Sequence, residues 1–541
     1  MTAWLSGARA YALLTALCLA LYVPGLAAIP PLDRDEARFA QATRQMLETG
    51  DFLRIRFQDE ARNKKPAGIY WLQAAAVAVF STADSDAIWP YRLPSLVGAV
   101  AAVLMLFAFG RLFYGADPPR AAFTAAILLG TSIALVAEAH IAKTDAMLLA
   151  SVVAGQGLLG VAYLRGRAGQ AMPFLGVAGF WVAEAAAILI KGPIAPGLAL
   201  ITAATLSIAD RDARWLRGLR PVFGVVLVAA ILAPWLIAIE RATAGQFLSD
   251  SLGHDLLAKL AGAQESHGAP PLTYLALSLV TFWPGSLFLA PALIQGWRRR
   301  EVPATRFLLA WLVPAWVLLE LVPTKLPHYV LPLYPALALL AAGAFGDFVP
   351  VGWERWVGGA VRVLWGVVTL ALAAALVLLP RYYGVQGIAV GAVGAALVVG
   401  LGAVQGWRPS MAALSALALA FAVTLTAGVL PALDRLWLSR SAASLVAAHA
   451  RHDGRPLVAV GYNEPSLVFM LGTDLRLASA RGAADLLAQG GEVLVNDREQ
   501  AALRQALDAR GLTARALGQV EGTDYSNGRH MIVTLFDVEP G

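Results

Sequence analysis

The sequence contains few charged residues and a single cysteine. Asp, Glu, Lys and Arg make up 14% of the 541 residues, whereas about 25% is usual in soluble proteins, and 58% of the residues are apolar. This composition excludes an ordinary soluble globular protein. Cys18 is the one cysteine, so no intramolecular disulfide can form, and any domain outside a membrane must fold without one.

Motifs of nucleotide-dependent and metal-dependent enzymes are also absent. The sequence has no P-loop, no HExxH and no paired CxxC. The stretch GQGLLG at 155–160 matches GxGxxG, but it lies in an apolar segment with no strand before it, which predicts a helix-packing face. The net charge of +6 does not indicate nucleic-acid binding, because the positive residues cluster in short loops between apolar runs.

Long apolar runs recur from Ala8 to Leu433. Many are about 17–25 residues long, enough to cross a bilayer as helices, and they do not alternate as barrel strands do. The sequence therefore predicts an all-α polytopic membrane protein with about 13 transmembrane helices. The first run resembles a signal peptide, but we expect it to be retained as an anchor. The stretch 66–80 is short for a span and is expected to add no net crossing.

Arginine clusters predict the orientation of the chain, because loops rich in arginine face the cytoplasm. This rule places the N-terminus inside and the last segment outside. The arginine-rich loops are GRLFYGADPPR, RGR, DRDARWLRGLR, GWRRRE and QGWRPS.

The composition changes at about Ser439. The stretches RPLVAVGY, GEVLVND and HMIVTLFDVE predict strands, and residues 464–472 and 498–511 predict helices. We therefore expect a transmembrane domain at 1–435 and a small α/β domain at 439–541 on the outer side.

The first outer loop, residues 33–65, holds 15 of the 78 charged residues. Asp35 and Glu36 fall in the first turn of a predicted interfacial helix, where capping would explain them because the helix dipole favours carboxylates there. The alternative is that one carboxylate is a general base near the bilayer. Lys64 and Lys65 precede the return into the membrane, where either snorkelling or phosphate binding would explain them.

Further cations and hydrogen-bonding side chains are expected on the outer side, against the positive-inside tendency, and an anionic lipid phosphate would account for them. Asp145 is a second acid there, although an N-cap would also explain it. His254, Glu265 and His267 are candidate ligands of a divalent metal, with solvated loop residues as the simpler explanation. The outer cationic and hydrogen-bonding residues are Lys191, His254, Lys259, His267, Lys325, His328 and Tyr329.

Six stretches resemble, in this order, bacterial members of the protein-mannosyltransferase superfamily, which are integral-membrane glycosyltransferases of the GT-C fold. The similarity is greatest to the 4-amino-4-deoxy-L-arabinose transferases that modify lipid A, and it covers roughly residues 10–345. The stretches are DRDEARFAQATRQMLETGDF, NKKPAGIYWLQ, YRLPSLVGAV, KGPIAPGLAL, ESHGAPPLTY and TKLPHYVLPLYPALALL.

The resemblance implies roles for the matched residues. Asp35, with Glu36 beside it, is expected to be the catalytic carboxylate, and Asp145 a second functional aspartate. The aminoarabinose transferases usually carry a glutamate that takes part in a metal site at the position of Lys64, so the resemblance does not support that metal site here. The expected polyprenyl-phosphate-binding residues are Lys64, Lys65, Lys259, Lys325 and Tyr329.

The implied activity is transfer of a sugar, by one inverting displacement, from a polyprenyl-phosphate donor to lipid A or another envelope glycolipid. It would take place at the periplasmic face of a bacterial inner membrane, in a monomer surrounded by membrane lipids. A protein hydroxyl or a polysaccharide stays open as the acceptor. The rivals are a transporter of lipid-linked sugars and a non-catalytic scaffold. Ionisable residues at helix ends, together with the lack of internal repeats, favour an enzyme over a transporter.

Overall fold

Helices dominate the structure, a computed structural model that describes residues 7–114, 118–251, 268–345, 348–449 and 455–540. The first ten helices are α1 (Ala8–Tyr22), α2 (Asp35–Thr49), α3 (Gly68–Phe80), α4 (Trp89–Phe113), α5 (Pro118–Gly130), α6 (Ile133–Ala139), α7 (Asp145–Arg167), α8 (Phe174–Lys191), α9 (Ile194–Asp210) and α10 (Pro221–Ala242).

A second series of helices completes the membrane domain. They are α11 (Gln246–Leu248), α12 (Thr273–Thr281), α13 (Leu289–Arg298), α14 (Pro303–Leu321), α15 (Tyr334–Ala344), α16 (Glu354–Tyr383), α17 (Ile388–Trp407) and α18 (Met411–Val423). Short 3₁₀ helices connect them at Arg214–Leu219, Gly285–Phe288, Pro327–Leu333, Val385–Gly387 and Leu430–Ala432, and a π-helical turn spans Thr424–Val429. A small hairpin, β1 (Arg56–Phe57) and β2 (Glu60–Ala61), lies between α2 and α3.

Eight helices in the described ranges are long and apolar enough to cross a bilayer, and a ninth span results if α5 and α6, bent by 62°, count as one. Helices α1, α3 and α9 are apolar but shorter. Helix α3 has 13 residues and is about 20 Å long, short of the roughly 30 Å hydrocarbon core. The predicted all-α multi-pass architecture is confirmed, whereas the number of about 13 crossings stays a prediction.

The C-terminal region forms a five-stranded mixed sheet with helices, which confirms the predicted small α/β fold. The sheet order is β4–β3–β5–β7–β6, with β3 parallel to β4 and β5 and the other neighbours antiparallel. Its elements are α19 (Leu438–His449), β3 (Leu457–Val460), α20 (Pro465–Leu471), β4 (Arg476–Ala478), α21 (Ala480–Leu486), β5 (Gly491–Asn496), α22 (Gln500–Asp508), β6 (Leu512–Asp524) and β7 (Arg529–Pro540).

Helix α2 is covered by protein on both faces, which corrects the prediction of a helix lying on the membrane surface. Phe39 and Met46 pack in one cluster with Tyr70 of α3. On the opposite face, Ala37 and Ala40 pack in another cluster that includes Phe469 of α20. The helix is therefore enclosed between the membrane domain and the C-terminal domain.

The GQGLLG stretch lies inside α7 and packs against other helices, as predicted. A Cβ on Gly157 would lie 2.3 Å from the ring of Phe109, and one on Gly160 would lie 2.6 Å from the ring of Phe113. Both glycines therefore let α4 approach α7 closely, and the stretch has no nucleotide-binding geometry.

Candidate active site

Glu36 anchors the first turn of α2 from inside the protein. Its carboxylate pairs with the fully buried Arg92, with Nε–Oε1 and Nη2–Oε2 distances of 2.8 Å. It also accepts hydrogen bonds from the backbone N–H groups of Leu32 (2.8 Å) and Ala142 (2.7 Å). Four hydrogen bonds occupy this carboxylate, so the geometry favours a positioning role for Glu36 over the catalytic role that we predicted.

The bond from Ala142 matters because it joins α2 to the loop between α6 and α7. Ser95 of α4 holds the same loop by donating to the carbonyls of Ile141 (2.7 Å) and Lys143 (3.2 Å). The first turn of α2 and the loop that carries Lys143 are therefore linked through Glu36.

Asp35 is the first residue of α2 and its side chain is exposed. Its carboxylate nevertheless lies close enough to Lys143 and His328 to act on both electrostatically. This arrangement gives an accessible acid, supported from beneath by Glu36, at the edge of a group of cations. An accessible carboxylate of this kind can accept a proton from an incoming acceptor molecule.

A buried charged cluster lies next to Asp35. Lys191 Nζ lies 2.5 Å from Asp145 Oδ1, and Lys143 Nζ lies 2.9 Å from Glu138 Oε1 and 3.6 Å from Asp145 Oδ2. His328 completes the cluster, with its Nδ1 3.4 Å from Lys143 Nζ and its Nε2 3.8 Å from Asp145 Oδ1. Two carboxylates and two ammonium groups thus meet where α6, α7, α8 and the 3₁₀ turn at Pro327–Leu333 converge.

Burial and neighbouring charges in the cluster determine the protonation states of Lys143 and His328. Burial opposes the charged form of Lys143, but the carboxylates of Glu138 and Asp145 outweigh it and raise the pKa of the ammonium above its usual range. Burial lowers the pKa of His328 to about 3, although Asp145 opposes that shift. At neutral pH, Lys143 is therefore a cation and His328 a neutral imidazole.

Tyr329 and Lys65 lie at the border of this cluster. Lys191 Nζ is 5.9 Å from the ring centroid of Tyr329, whose ring meets that of His328 edge-on with centroids 5.0 Å apart. Lys65 is half-buried three residues before Gly68, and a Cβ on Gly68 would lie 2.6 Å from the carbonyl oxygen of Leu189. The close approach of α3 to α8 therefore brings the KKP stretch to the end of α8 that carries Lys191.

The structure does not support the phosphate role predicted for Lys325. Its Nζ donates to the carbonyls of Ala269 (2.9 Å) and Val322 (2.8 Å), and the side chain is buried. Lys325 therefore ties backbone segments together. Lys64, by contrast, is exposed beside Lys65.

Four predicted site residues, namely Lys259 and the candidate metal ligands His254, Glu265 and His267, lie outside the described residues. Within the ranges that the structure describes, no three His, Cys, Asp or Glu side chains are grouped to hold a metal ion.

Sequence reasoning did not single out Lys143 or Glu138 as site residues. Lys143 could have been identified from the sequence, because it lies two residues before Asp145 in HIAKTD. That spacing puts two oppositely charged side chains at the outer end of a helix. Glu138 ends an apolar helix, and its importance appears only when the helix breaks at His140 and turns it toward Lys143.

Comparisons with known proteins agree with this fold. Residues 64–237 match the family described as dolichyl-phosphate-mannose-protein mannosyltransferase. The undecaprenyl phosphate-alpha-4-amino-4-deoxy-L-arabinose arabinosyl transferase of Pseudomonas aeruginosa strain UCBPP-PA14 is 28% identical over 342 residues, 63% of this chain. The match spans 60% of that relative's length.

Two solved structures show the same fold. The structure of ArnT from Cupriavidus metallidurans bound to undecaprenyl phosphate superposes with a TM-score of 0.77 at 19% identity, covering 98% of both chains. The oligosaccharyltransferase AglB from Archaeoglobus fulgidus, in complex with an inhibitory peptide and a dolichol-phosphate, gives a TM-score of 0.54 at 11% identity. It covers 98% of this chain and 74% of that chain.

These findings confirm the expected resemblance and the GT-C fold. The eight long apolar helices of the described residues are those of a multi-pass membrane protein.

Proposed function

We propose that this chain, a relative of the GT-C glycosyltransferases in the protein-mannosyltransferase superfamily, transfers a sugar from a polyprenyl-phosphate donor to an acceptor at the periplasmic face of the membrane. The observation that carries the proposal is the position of Asp35. This exposed carboxylate directly precedes Glu36, which accepts a hydrogen bond from Ala142, the residue before Lys143 of the buried cluster. A proton acceptor and fixed cations are thus combined in one place.

The reaction would be a single inverting displacement. An oxygen of the acceptor attacks the anomeric carbon of the donor sugar, and the bond from that carbon to the phosphate oxygen breaks. Asp35 takes the proton of the attacking oxygen, and the bond's electron pair leaves with the polyprenyl phosphate. General-base assistance of this kind contributes about 10²–10⁴-fold to the rate.

The leaving polyprenyl phosphate gains negative charge, and the basic side chains around the cluster would stabilise it. Lys191 is held in place by Asp145 at 2.5 Å, with Tyr329 beside it and Lys65 at the neighbouring end of α3. Cations that are already positioned stabilise developing charge without reorganising, and losing one such group costs about 10²–10³-fold in rate. We assign phosphate binding to Lys65, Lys191 and Tyr329.

Lys143 would lie between the proton acceptor Asp35 and the basic residues that bind the phosphate. Its ammonium contacts Glu138 and Asp145 and senses the field of Asp35. We propose that Lys143 holds the carboxylates of Glu138 and Asp145 in place and, through Asp145, the ammonium of Lys191. This role makes Lys143 a positioning residue of the electrostatic site.

For the sugar and the acceptor, we propose aminoarabinose and lipid A. The support is the name of the similar arabinosyl transferase, together with the ArnT fold. A protein hydroxyl or a polysaccharide stays the alternative acceptor, and the protein is expected to act as a monomer. We also propose that transfer requires no divalent metal, because Lys64 replaces the glutamate expected in a metal site.

A transfer assay in a single compartment tests the proposal. The purified protein in detergent receives a synthetic undecaprenyl-phosphate aminoarabinose and lipid A, and mass spectrometry follows the product. We expect aminoarabinose on lipid A, with transfer lost in Asp35→Asn and kept in Asp59→Asn, an exposed aspartate of the same loop. A wild-type protein that moves the donor across a vesicle bilayer but forms no product would instead be a transporter.

A further inference from the structure

The C-terminal domain contacts helix α2 at both of its ends. Asp35 is the first residue of α2. The C-terminal domain begins more than 400 residues further along the chain. The contacts at each end are made by polar side chains that reach across the boundary between the two domains.

The first contact is at Asp33, two residues before α2. The hydroxyl of Ser466 donates to Oδ1 of Asp33, and the Asp33 N–H donates to the Tyr525 hydroxyl oxygen at 2.6 Å. Beside it, Arg34 Nη2 donates to the carbonyl of Ser526 at 2.6 Å. The chain entering α2 is therefore held by α20 and by the turn that links β6 to β7.

The second contact lies near the other end of α2. The buried Arg44 donates to the carbonyl of Phe469 at 2.5 Å, and its guanidinium lies 4.5 Å from the centre of the Phe469 ring. Gln41 Nε2 donates to the Thr473 hydroxyl at 2.7 Å, and that hydroxyl donates to Glu48 at 2.8 Å. Polar residues that would be exposed on a lone amphipathic helix are thus buried by the C-terminal domain.

The turn between β6 and β7 is shaped to present Tyr525. Ser526 N–H donates to Asp524 Oδ1 at 3.0 Å, and Asn527 Nδ2 donates to Asp524 Oδ2 at 2.6 Å. These bonds close the turn around Asp524 and point Tyr525 toward Asp33. The stretch EGTDYSNGRH, residues 521–530, thus supplies the turn that makes this contact.

We propose that the C-terminal domain positions Asp35 for transfer, with Asp33, just before α2, and Arg44, on α2, as the positioning residues. This inference rests on the proposed function. Asp35 lies between two anchors, since Glu36 ties the first turn to the membrane domain and Asp33 ties the preceding residues to the C-terminal domain. The carboxylate is correctly placed only when both domains hold the helix.

The rate of a catalysed reaction is sensitive to small displacements of the reacting groups. Displacing a reacting group by about 1 Å costs on the order of 10²-fold in rate. Helix α2 has one apolar face on the membrane domain, and its other face is covered by Phe469 and its neighbours. Loosening the contacts of the C-terminal domain would leave α2 folded but allow its first turn to move. The loss would therefore appear in kcat more than in the KM for the donor.

The test combines Ser466→Ala with Tyr525→Phe, which removes two hydroxyl groups and leaves the packing unchanged. Arg510→Gln is the matched control, because its partner Asp485 lies within the C-terminal domain and away from α2. Hydrogen–deuterium exchange of residues 33–49 and steady-state kinetics are measured on each protein. We expect faster exchange at the start of α2, kcat lower by about 10–100-fold and an unchanged donor KM in the double variant alone.

Substitutions of Arg44 add a rescue test to the double variant. Arg44→Lys, which keeps a donor for the Phe469 carbonyl, should retain more kcat than Arg44→Met, which has none, if the contact positions the helix. Faster exchange with wild-type kcat would overturn the proposal, and so would unchanged exchange in the double variant. If the wild-type protein transfers no sugar, the proposed function fails, and the exchange measurement still decides whether the domain holds α2.

Discussion

Glu36 and Arg92 form a fully buried ion pair with two hydrogen bonds of 2.8 Å at the base of α2. Arg92 also donates to the carbonyls of Leu26, Ile29 and Pro30, so the pair holds the chain that leads into the helix. The neighbouring Asp35 is left exposed. The two acids of the DE pair thus have different environments, and the structure divides anchoring and chemistry between them.

Removing Glu36 should destabilise the protein. Glu36→Ala leaves the buried Arg92 unpaired, and breaking one side of a buried pair costs about 3–5 kcal/mol. We expect a clearly lower melting temperature in detergent for Glu36→Ala than for Glu60→Ala, an exposed control in the same loop. A Glu36→Ala protein that melts like the wild type but transfers no sugar would instead show that Glu36 is catalytic.

Lys191 should stabilise the leaving polyprenyl phosphate. Lys191→Met removes a cation 5.9 Å from the Tyr329 ring and leaves Asp145 with one ammonium neighbour fewer, so we expect turnover to fall by about 10²–10³-fold. Kinetics with varied donor concentration measure the effect. The control is Arg381→Met, which removes an exposed cation at the end of α16. Equal effects of the two substitutions would contradict a specific role for Lys191.

The Asp33 contact should weaken as pH rises. Burial raises the pKa of Asp33 to about 7, and Glu464 and Asp524 add to that shift while the bonds from Ser466 and Tyr525 oppose it. An unfolded aspartate has a pKa of about 3.9, so the folded protein binds the extra proton between about pH 4 and 7. The stabilisation from this carboxyl is therefore complete at low pH and is lost as pH rises through 7. The charged or titratable groups around this contact are Arg34, Glu36, Tyr462, Glu464, Asp524 and Tyr525.

Hydrogen exchange at the start of α2 measures this pH dependence. After correction for intrinsic exchange rates, we expect protection of residues 33–38 to decrease from pH 5 to pH 8 in the wild type. Asp33→Asn removes the titrating group and should flatten the curve. A wild-type curve with no slope in this window would show that Asp33 does not titrate there.

Removal of divalent metal ions should leave transfer unchanged. The basis is Lys64, an exposed cation at the position where the resemblance leads us to expect the glutamate of a metal site. Activity is compared before and after dialysis against a chelator, with metal content measured by mass spectrometry. Loss of activity that zinc restores would refute this prediction and would direct attention to His254, Glu265 and His267.

Local patterns predicted much of the fold. Helix α2 and strands β3, β5 and β7 were each found from the spacing of their apolar residues. Strand β6 was missed because it lies at the edge of the sheet and most of its residues are exposed or half-buried, so its side chains show no clear alternation. Strand β4 has three residues, too few for any period to appear.

The site was only partly predictable because its geometry depends on distant contacts. Asp35 and Lys65 were found through the motifs that contain them. Lys325 was expected at the phosphate because it lies near Tyr329 in sequence, but its side chain turns toward backbone carbonyls. Helix α2 was predicted to lie at the membrane surface, and no local pattern reveals that Phe469 and Thr473 cover its second face.

The most direct test of the account separates donor binding from transfer in the Asp35→Asn protein. Binding of undecaprenyl phosphate is measured by calorimetry, and single-turnover transfer is measured with saturating donor and acceptor. The account predicts a Kd close to that of the wild type and a transfer rate lower by about 10²–10⁴-fold. Transfer at the wild-type rate in Asp35→Asn would contradict it.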